Sequence, residues 1–373
     1  MQPSEKTAKT LKIAVDAMGG DHAPQATVEG AALAGKELGL QVILVGNEEI
    51  ITREVEKFPQ AQSFLHIQPA AEVIEMKEPP SQALRRKRNS SVKVATDLVK
   101  SGEAQAVVSA GNTGATLAAS LLILRPLKGI DRPAIATFLP TATPQGFSIL
   151  LDAGANVDCK AAQMFQFGIM GHVYAQNILR TDSPRLGLLS IGEEDSKGNE
   201  VSKEAHRLLS RSSLNFIGNV EGREIFEGKA DVIVCDGFTG NIALKIGESV
   251  AEMFADTMRE AFTSSLRTKL AYLLMKPHFQ ALKKRIDYSE YGGAPLLGVN
   301  GICIIGHGRS SPKAIKNAIG LAHRLSEEDL NEYIRGDIEL NSELQDIKKR
   351  KGKFWKSLQG CSSLHSGKGA PKE

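Results

Sequence analysis

Asp16, Gly19, Gly20, Asp21 and His22 follow directly on the apolar run Ile13–Val15, and Pro24 and a helical pattern from Gln25 come next. A strand that ends in a glycine-rich turn and feeds a helix turns backbone N–H groups and the positive helix end towards one point, which suits a phosphate. The spacing is neither that of a dinucleotide fingerprint nor that of a Walker loop, and a tight turn that needs glycine for backbone reasons is the competing reading. Further anion ligands recur along the chain. Asn112, Thr113 and Gly114 offer a second helix start, and Asp236, Thr239 and Asn241 a third. Ser311 before Pro312, after the His307-Gly308-Arg309 loop, offers a fourth. Lys197-Gly198-Asn199 adds a cation in a polar loop. The set suits a phosphate better than a metal: there is no H-E-x-x-H, no tight histidine cluster and no carboxylate spacing that specifies an ion. A nucleophilic side chain is equally poorly supported, since no G-x-S-x-G elbow occurs and His307 has no serine or cysteine partner in sequence. Acyl chemistry here would use a substrate as nucleophile. Inorganic phosphate qualifies, and a thiolate leaving group relaxes the need for a general acid.

The elements that must position these residues alternate. Apolar runs at Lys12–Val15, Gln41–Val45, Ala106–Ser109, Phe147–Leu151, Arg185–Ser190, Asp231–Cys235 and Ile302–Ile305 predict strands. Helical patterns fall at Gln25–Leu38, Ser91–Ser101, Gly114–Leu124, Lys160–Leu179, Lys203–Ser210, Asn241–Phe262 and Pro312–Arg324. Such alternation predicts an α/β fold with a parallel or mixed sheet covered by helices in three layers. Nearly every strand runs into Gly, Asn, Asp or Thr, including Asp152 and Asn156 after the fourth. Ligands bind outside the carboxyl ends of parallel strands, so one shared cleft is expected, although N-capping explains part of the pattern. Two segments break the alternation: the basic cluster Arg85, Arg86, Lys87 and Arg88, and the leucine-rich Leu266–Leu282 with basic flanks.

At 373 residues the chain can bury a large core, and 42% hydrophobic with 24% charged residues is ordinary for a soluble protein. A net charge of +3 does not argue for nucleic acid. Four scattered cysteines indicate neither a zinc site nor a disulfide framework. No apolar run is long enough to span a bilayer and no signal peptide is visible, so a cytoplasmic protein is expected. The expected layout is a flexible tail over 1–10, one α/β domain over 11–335 with a protruding helical segment at 250–290, and a helical extension and disordered tail over 336–373.

IAVDAMGGDHAP (Ile13–Pro24), SAGNTGA (Ser109–Ala115), LDAGAN (Leu151–Asn156), IGEEDSKGNE (Ile191–Glu200), CDGFTGNIALK (Cys235–Lys245), GGAPLLGVNG (Gly292–Gly301) and HGRSSPKAIKNAI (His307–Ile319) together resemble the bacterial phosphate acyltransferase family, PlsX. The likeness runs from about Leu11 to Leu325. Gly168, where alanine is expected, and Ser249, where glycine is usual, are its small departures. The resemblance implies conversion of acyl–acyl carrier protein and inorganic phosphate to acyl phosphate, the donor for acylation of glycerol 3-phosphate, without a metal or organic cofactor. It implies a homodimer whose fold is related to isocitrate/isopropylmalate dehydrogenases and phosphotransacetylases, and a membrane-bound glycerol-3-phosphate acyltransferase that consumes the product. Lys197 and Asn241 are the expected catalytic groups. Asp16, Gly19, Gly20, Asp21, His22, Asn112, Thr113, Gly114, Asp152, Asn156, Asp236, Thr239 and His307 are expected to line the phosphate and substrate site. Arg85–Arg88 would dock the acidic carrier protein. Leu270, Leu273 and Leu274 would touch the membrane surface, with a dimer interface or a packed hairpin as the competing use of that segment. An NAD-dependent dehydrogenase of the related fold and a non-catalytic acyl- or phosphate-binding scaffold are the rival functions.

Overall fold

A computed structural model describes residues 11–144, 146–286 and 292–341. The expected tail over 1–10 and the region beyond 341 lie outside the described residues. The first part of the chain forms β1 (Lys12–Asp16), α1 (Gln25–Leu38), β2 (Gln41–Gly46), α2 (Glu48–Val55), β3 (Leu65–Pro69), α3 (Pro80–Arg86), α4 (Ser91–Ser101), β4 (Ala106–Ser109) and α5 (Thr113–Ile123). The middle forms β5 (Ala134–Pro140), β6 (Phe147–Leu151), α6 (Ala161–Ile178), β7 (Leu186–Leu189), α7 (Glu200–Leu209), β8 (Phe216–Val220), α8 (Gly222–Glu227) and β9 (Val232–Val234). Two long helices, α9 (Gly237–Thr263) and α10 (Leu266–Ile286), are followed by β10 (Ala294–Leu297), β11 (Ile302–Ile305), α11 (Pro312–Glu327) and α12 (Leu330–Leu340).

All the expected strands form, joined by four that sequence periodicity does not single out: β3, β5, β8 and β10. Together they make one sheet in the order β3-β2-β1-β4-β11-β10-β5-β6-β9-β7-β8. β3, β2, β1, β4 and β11 are mutually parallel, and so are β6, β9, β7 and β8. The pairings β11–β10, β10–β5 and β5–β6 are antiparallel. Three reversals in succession make the two parallel groups point in opposite directions. Their carboxyl ends nevertheless come to nearly the same level. Ile305 pairs with Ala294, Leu296 with Ile135 and Ala136 with Leu151, so β11 and β6 end within about two residues of each other along the strand direction. The register thus brings the loops that follow both groups to the two sides of β5 and β10.

Helices cover both faces, as strands buried on both sides require. β1, β2, β4 and β11 are buried almost throughout. α6 carries Phe165, Phe167, Ile169 and Met170 into the core of the second group, and Gly168 faces Leu209 and Leu186 there. α12 docks through Leu330, Ile334 and Ile338, running past the domain boundary expected at 335. α9 and α10 form a hairpin closed by Phe262, Tyr272 and Phe279. No helix among the described residues is long and apolar enough to cross a membrane.

Candidate active site

A cavity of about 470 Å³ lies over β5, between the two sets of carboxyl-end loops. Asp21, Thr113 and His307 reach it from the loops after β1, β4 and β11, and Asn241 from the first turns of α9 after β9. Ile135, Thr137 and Leu139 give it a floor.

The loop after β1 is built on a buried acid. Asp16 Oδ2 accepts the Ser109 hydroxyl at 2.7 Å. Gly19 lies so close that a Cβ there would stand 2.5 Å from that oxygen and 2.8 Å from the Gly111 nitrogen. Gly20 takes a φ of +119°, which a side chain would disfavour. The Asp21 N–H donates to the Gly308 carbonyl at 2.8 Å, tying the first loop to the last. His22 is exposed and lies outside the cavity lining.

Burial pushes the Asp16 carboxyl above its ordinary value near 3.8, with the Ser91 and Ser109 hydroxyls and the backbone at Met18 and Gly19 pulling it part of the way back. A raised folded value means that the folded chain holds this proton to higher pH than the unfolded chain. Its contribution to stability is complete below pH 3.8 and is lost as pH rises through the folded value. Asp16→Asn is neutral throughout, so the wild type should lose stability relative to the variant as pH rises, by at most about 1.4 kcal/mol per pH unit. Urea unfolding across that range checks this, and a stability difference independent of pH would contradict it.

Several expected ligands turn out to hold the loops rather than face the cavity. Asn112 caps α5 through the Ala115 N–H, and its amide donates to the carbonyls of Glu75, Met76 and Glu78. Gly114 packs on Pro80. Asp152 is fully buried. Its Oδ1 accepts N–H groups from Ile135, Gly154 and Ala155, and its Oδ2 accepts the backbone and side-chain N–H groups of Asn156. Asn156 also donates to the Pro133 carbonyl at 2.7 Å. Asp236 caps α9, accepting the N–H and hydroxyl of Thr239, each at 2.8 Å. These contacts fix where Asn241 lies: half-buried, with its Cβ 3.5 Å from where a Cβ on Gly154 would be.

Lys197 lies on the exposed loop after β7, outside the cavity lining, with its stem over Gly192. It pairs with no carboxylate among the described residues. β7 is two strands from β6 in the sheet, roughly 10 Å, and both loops leave the same edge. Arg85 and Arg86, the last residues of α3, and Arg88 just after it are exposed, and Pro80 at the other end of α3 packs on Gly114 of α5. Lys87 is half-buried and committed, ion-paired with Glu78 and bonded to the Val73 carbonyl at 2.6 Å. That pairing holds the Glu78 carboxyl below its usual range.

Sequence reading missed the far side of α9 and the whole of β5. Asn241, Leu244, Lys245 and Glu248 recur at helical spacing and all face the cavity, a signal visible in CDGFTGNIALK and its continuation. Burial pushes the Glu248 carboxyl up, with His307 opposing the shift. His307 Nδ1 accepts the Arg309 N–H at 3.2 Å. Phe226, from α8, closes the cavity beyond the end of β5. Among the described residues no three His, Cys, Asp or Glu side chains are grouped to hold a metal.

A family model described as "Fatty acid synthesis protein" matches residues 11–333. The chain is 50% identical over 329 residues to a phosphate acyltransferase of Geobacter sulfurreducens, covering 88% of this chain and 94% of that protein. It is 52% identical over 329 residues to a phosphate acyltransferase of Pelotomaculum thermopropionicum, covering 88% and 95%. In fold it is similar to a phosphotransacetylase from Streptococcus pyogenes, with a TM-score of 0.60 at 20% identity, covering 86% of this chain and 95% of that one. A match across nearly the whole folded region at half identity is decisive for kinship: the chain belongs to the phosphate acyltransferase family of fatty acid synthesis proteins, and is an acyltransferase.

Proposed function

We propose that the protein transfers an acyl group from the thioester of acyl carrier protein to inorganic phosphate, releasing acyl phosphate for the acylation of glycerol 3-phosphate by a membrane-bound acyltransferase. The observation that carries this reading is the composition of the cavity. A glycine-rich loop at the start of α1, tied to Gly308, meets a floor on β5, and among the described residues no activated nucleophilic side chain stands between them. Cys235 is buried and Cys159 half-buried, and burial pushes both thiols up, that of Cys159 to about 11, away from nucleophilic use. Phosphate bound at Gly19–Asp21 attacks the thioester carbonyl, and the C–S bond breaks as the P–O–C bond forms. Hydrogen phosphate loses one proton and the thiolate gains one, so the net reaction needs no outside acid. Asn241 donates a hydrogen bond to the oxyanion and Lys197 supplies positive charge from the β7 loop. The test is incubation with palmitoyl–acyl carrier protein and phosphate, with free thiol followed and acyl phosphate trapped by hydroxylamine. Thiol release independent of phosphate would overturn the reading.

Arg85, Arg86 and Arg88, exposed at the end of α3 and just after it, fit the acidic carrier protein. Reversing Arg85 and Arg88 to Glu should raise the KM for acyl carrier protein at least about fivefold at low salt, and the effect should fade as salt screens it. A KM that does not move would remove this docking surface. Lys87 is a poor choice for that test, because its pairing with Glu78 is structural. α9 presents Phe238, Ile242, Ile246, Val250, Met253 and Phe254 along one exposed face, which fits a homodimer. Leu270, Leu273 and Leu274 on α10 are exposed at 62, 63 and 74%, so they are not the residues that pack the hairpin. They fit peripheral contact with the inner membrane surface. Vesicle flotation of a Leu273→Glu, Leu274→Glu variant that stays dimeric checks this, and unchanged flotation would count against it.

A further inference from the structure

We infer that Gly247 and Phe226 set the length of acyl chain the enzyme accepts, by forming the closed end of a groove that runs along β5 away from Asn241. The inference rests on the acyl-transfer reading above and extends it to chain length. Asn241 marks one end of the cavity: it lies beside Gly154, next to Asp152, whose Oδ1 accepts the Ile135 N–H at the start of β5. Phe226 marks the other, held beyond the end of β5. The lining between them is mixed, with Lys245, Glu248 and His307 as well as Leu139, Pro140 and Leu244. Ile135, Thr137 and Leu139 alternate along β5, so their side chains share the face under the groove. From Ile135 to Leu139 the strand advances about 13 Å. Leu244 and Gly247 of α9 lie in the opposite wall. A groove floored by Ile135 and Leu139 that starts beside Asn241 is what the hydrocarbon tail of a thioester needs if its carbonyl is to meet bound phosphate.

Phe226 is not a core residue. It is 42% exposed and belongs to a short helix held to the end of β5 by the Ala142 N–H, which donates to the Phe226 carbonyl at 2.8 Å. Gly247 lies within the long helix α9, where glycine is less favourable than alanine by about 1 kcal/mol. A Cβ built at 247 would meet only the Phe226 ring, at 3.7 Å and 4.0 Å, both ordinary contact distances. The backbone therefore tolerates a side chain at this position, and that side chain would start beside Phe226 in the closed end of the groove. Gly247 keeps space open, and Phe226 ends it.

The experiment measures kcat/KM for octanoyl and hexadecanoyl thioesters of acyl carrier protein with phosphate, for the wild-type chain, Gly247→Leu and Phe226→Ala. In a groove that buries the tail, each added methylene raises kcat/KM about threefold to fourfold until the end is reached. Gly247→Leu should lower the hexadecanoyl-to-octanoyl ratio at least tenfold, and Phe226→Ala should raise it. Ratios within twofold of wild type in both variants would overturn the assignment. Equal loss with both chain lengths in Gly247→Leu would also overturn it, because residue 247 would then act on the fold or the chemistry instead of the tail. Gly247→Ala, the helix-favouring variant, provides the folding control by thermal unfolding. Failure of the acyl-transfer reading itself would look different: the wild-type chain would form no acyl phosphate from either thioester.

Discussion

Replacing Lys197 with alanine is expected to lower kcat/KM for acyl phosphate formation by about 10²–10³, the usual loss when one group that stabilises transition-state charge is removed. The attack of hydrogen phosphate on a thioester concentrates negative charge at the carbonyl oxygen and on the departing sulfur. The cavity lining offers Asn241 as a neutral donor and Lys245 as a cation, and Lys197 would add a second cation from outside it. Lys197 pairs with no carboxylate among the described residues, and its loop leaves the same sheet edge as the loops that carry Asp152 and Asn241. Two strand spacings, roughly 10 Å, separate β7 from β6. Lys197→Arg keeps the charge and should recover part of the rate, whereas Asn241→Ala should lose a similar factor without affecting stability. Single-turnover kinetics at saturating phosphate separates chemistry from binding. A Lys197→Ala enzyme within fivefold of wild type would remove Lys197 from the reaction.

The residues that bring the site together were unequally legible. Strand–turn–helix units such as Ile13–Gln25 and Ala106–Thr113 announce themselves, because their signals are local: an apolar run followed by a glycine turn and Pro24 in the first, and by the capping Asn112 in the second. β5 was not legible. Ala134–Pro140 reads AIATFLP, preceded by Pro133 and ending in Pro140, and its strand character comes from pairing with β6 and β10, which are distant in sequence or themselves short. The expectation of one cleft at the strand ends proves sound for five loops, but for a reason the alternation cannot contain: the second parallel group runs backwards, and the register through β10 and β5 brings its ends level with the first. The loops after β2 and β7 stay outside the cavity lining. Polar residue type also proved ambiguous, since Asn112, Asp152 and Asp236 look like ligands in sequence and spend their hydrogen bonds on helix caps and loop contacts. Nothing in a single sequence separates a cap from a ligand, because both need the same oxygen at a helix start.

Asp152 shows how much rests on such a cap. Its carboxylate accepts five N–H groups from four residues while fully buried. Burial pushes its carboxyl up, and these donors pull it back down. Asp152→Asn offers one accepting oxygen and one NH₂ group. Whichever way the amide turns, the NH₂ faces at least two N–H donors and leaves them without acceptors. Each buried unsatisfied donor costs about 1–3 kcal/mol, so the variant should lose about 3–5 kcal/mol of stability and melt on the order of 10 °C lower. The loss should extend to activity. A Cβ on Gly240 would stand 1.9 Å from the Asp152 carbonyl, so the α9 start that carries Asn241 is pressed directly on this residue. Gly240→Ala should therefore reproduce the fall in kcat through the same contact while leaving the five acceptor bonds in place. Urea unfolding with matched turnover measurements separates the two effects. If Asp152→Asn unfolds within 0.5 kcal/mol of wild type, where ordinary surface substitutions fall, the carboxylate is not what holds the loop, and the seat of Asn241 must be traced to Asp236 and Thr239 instead.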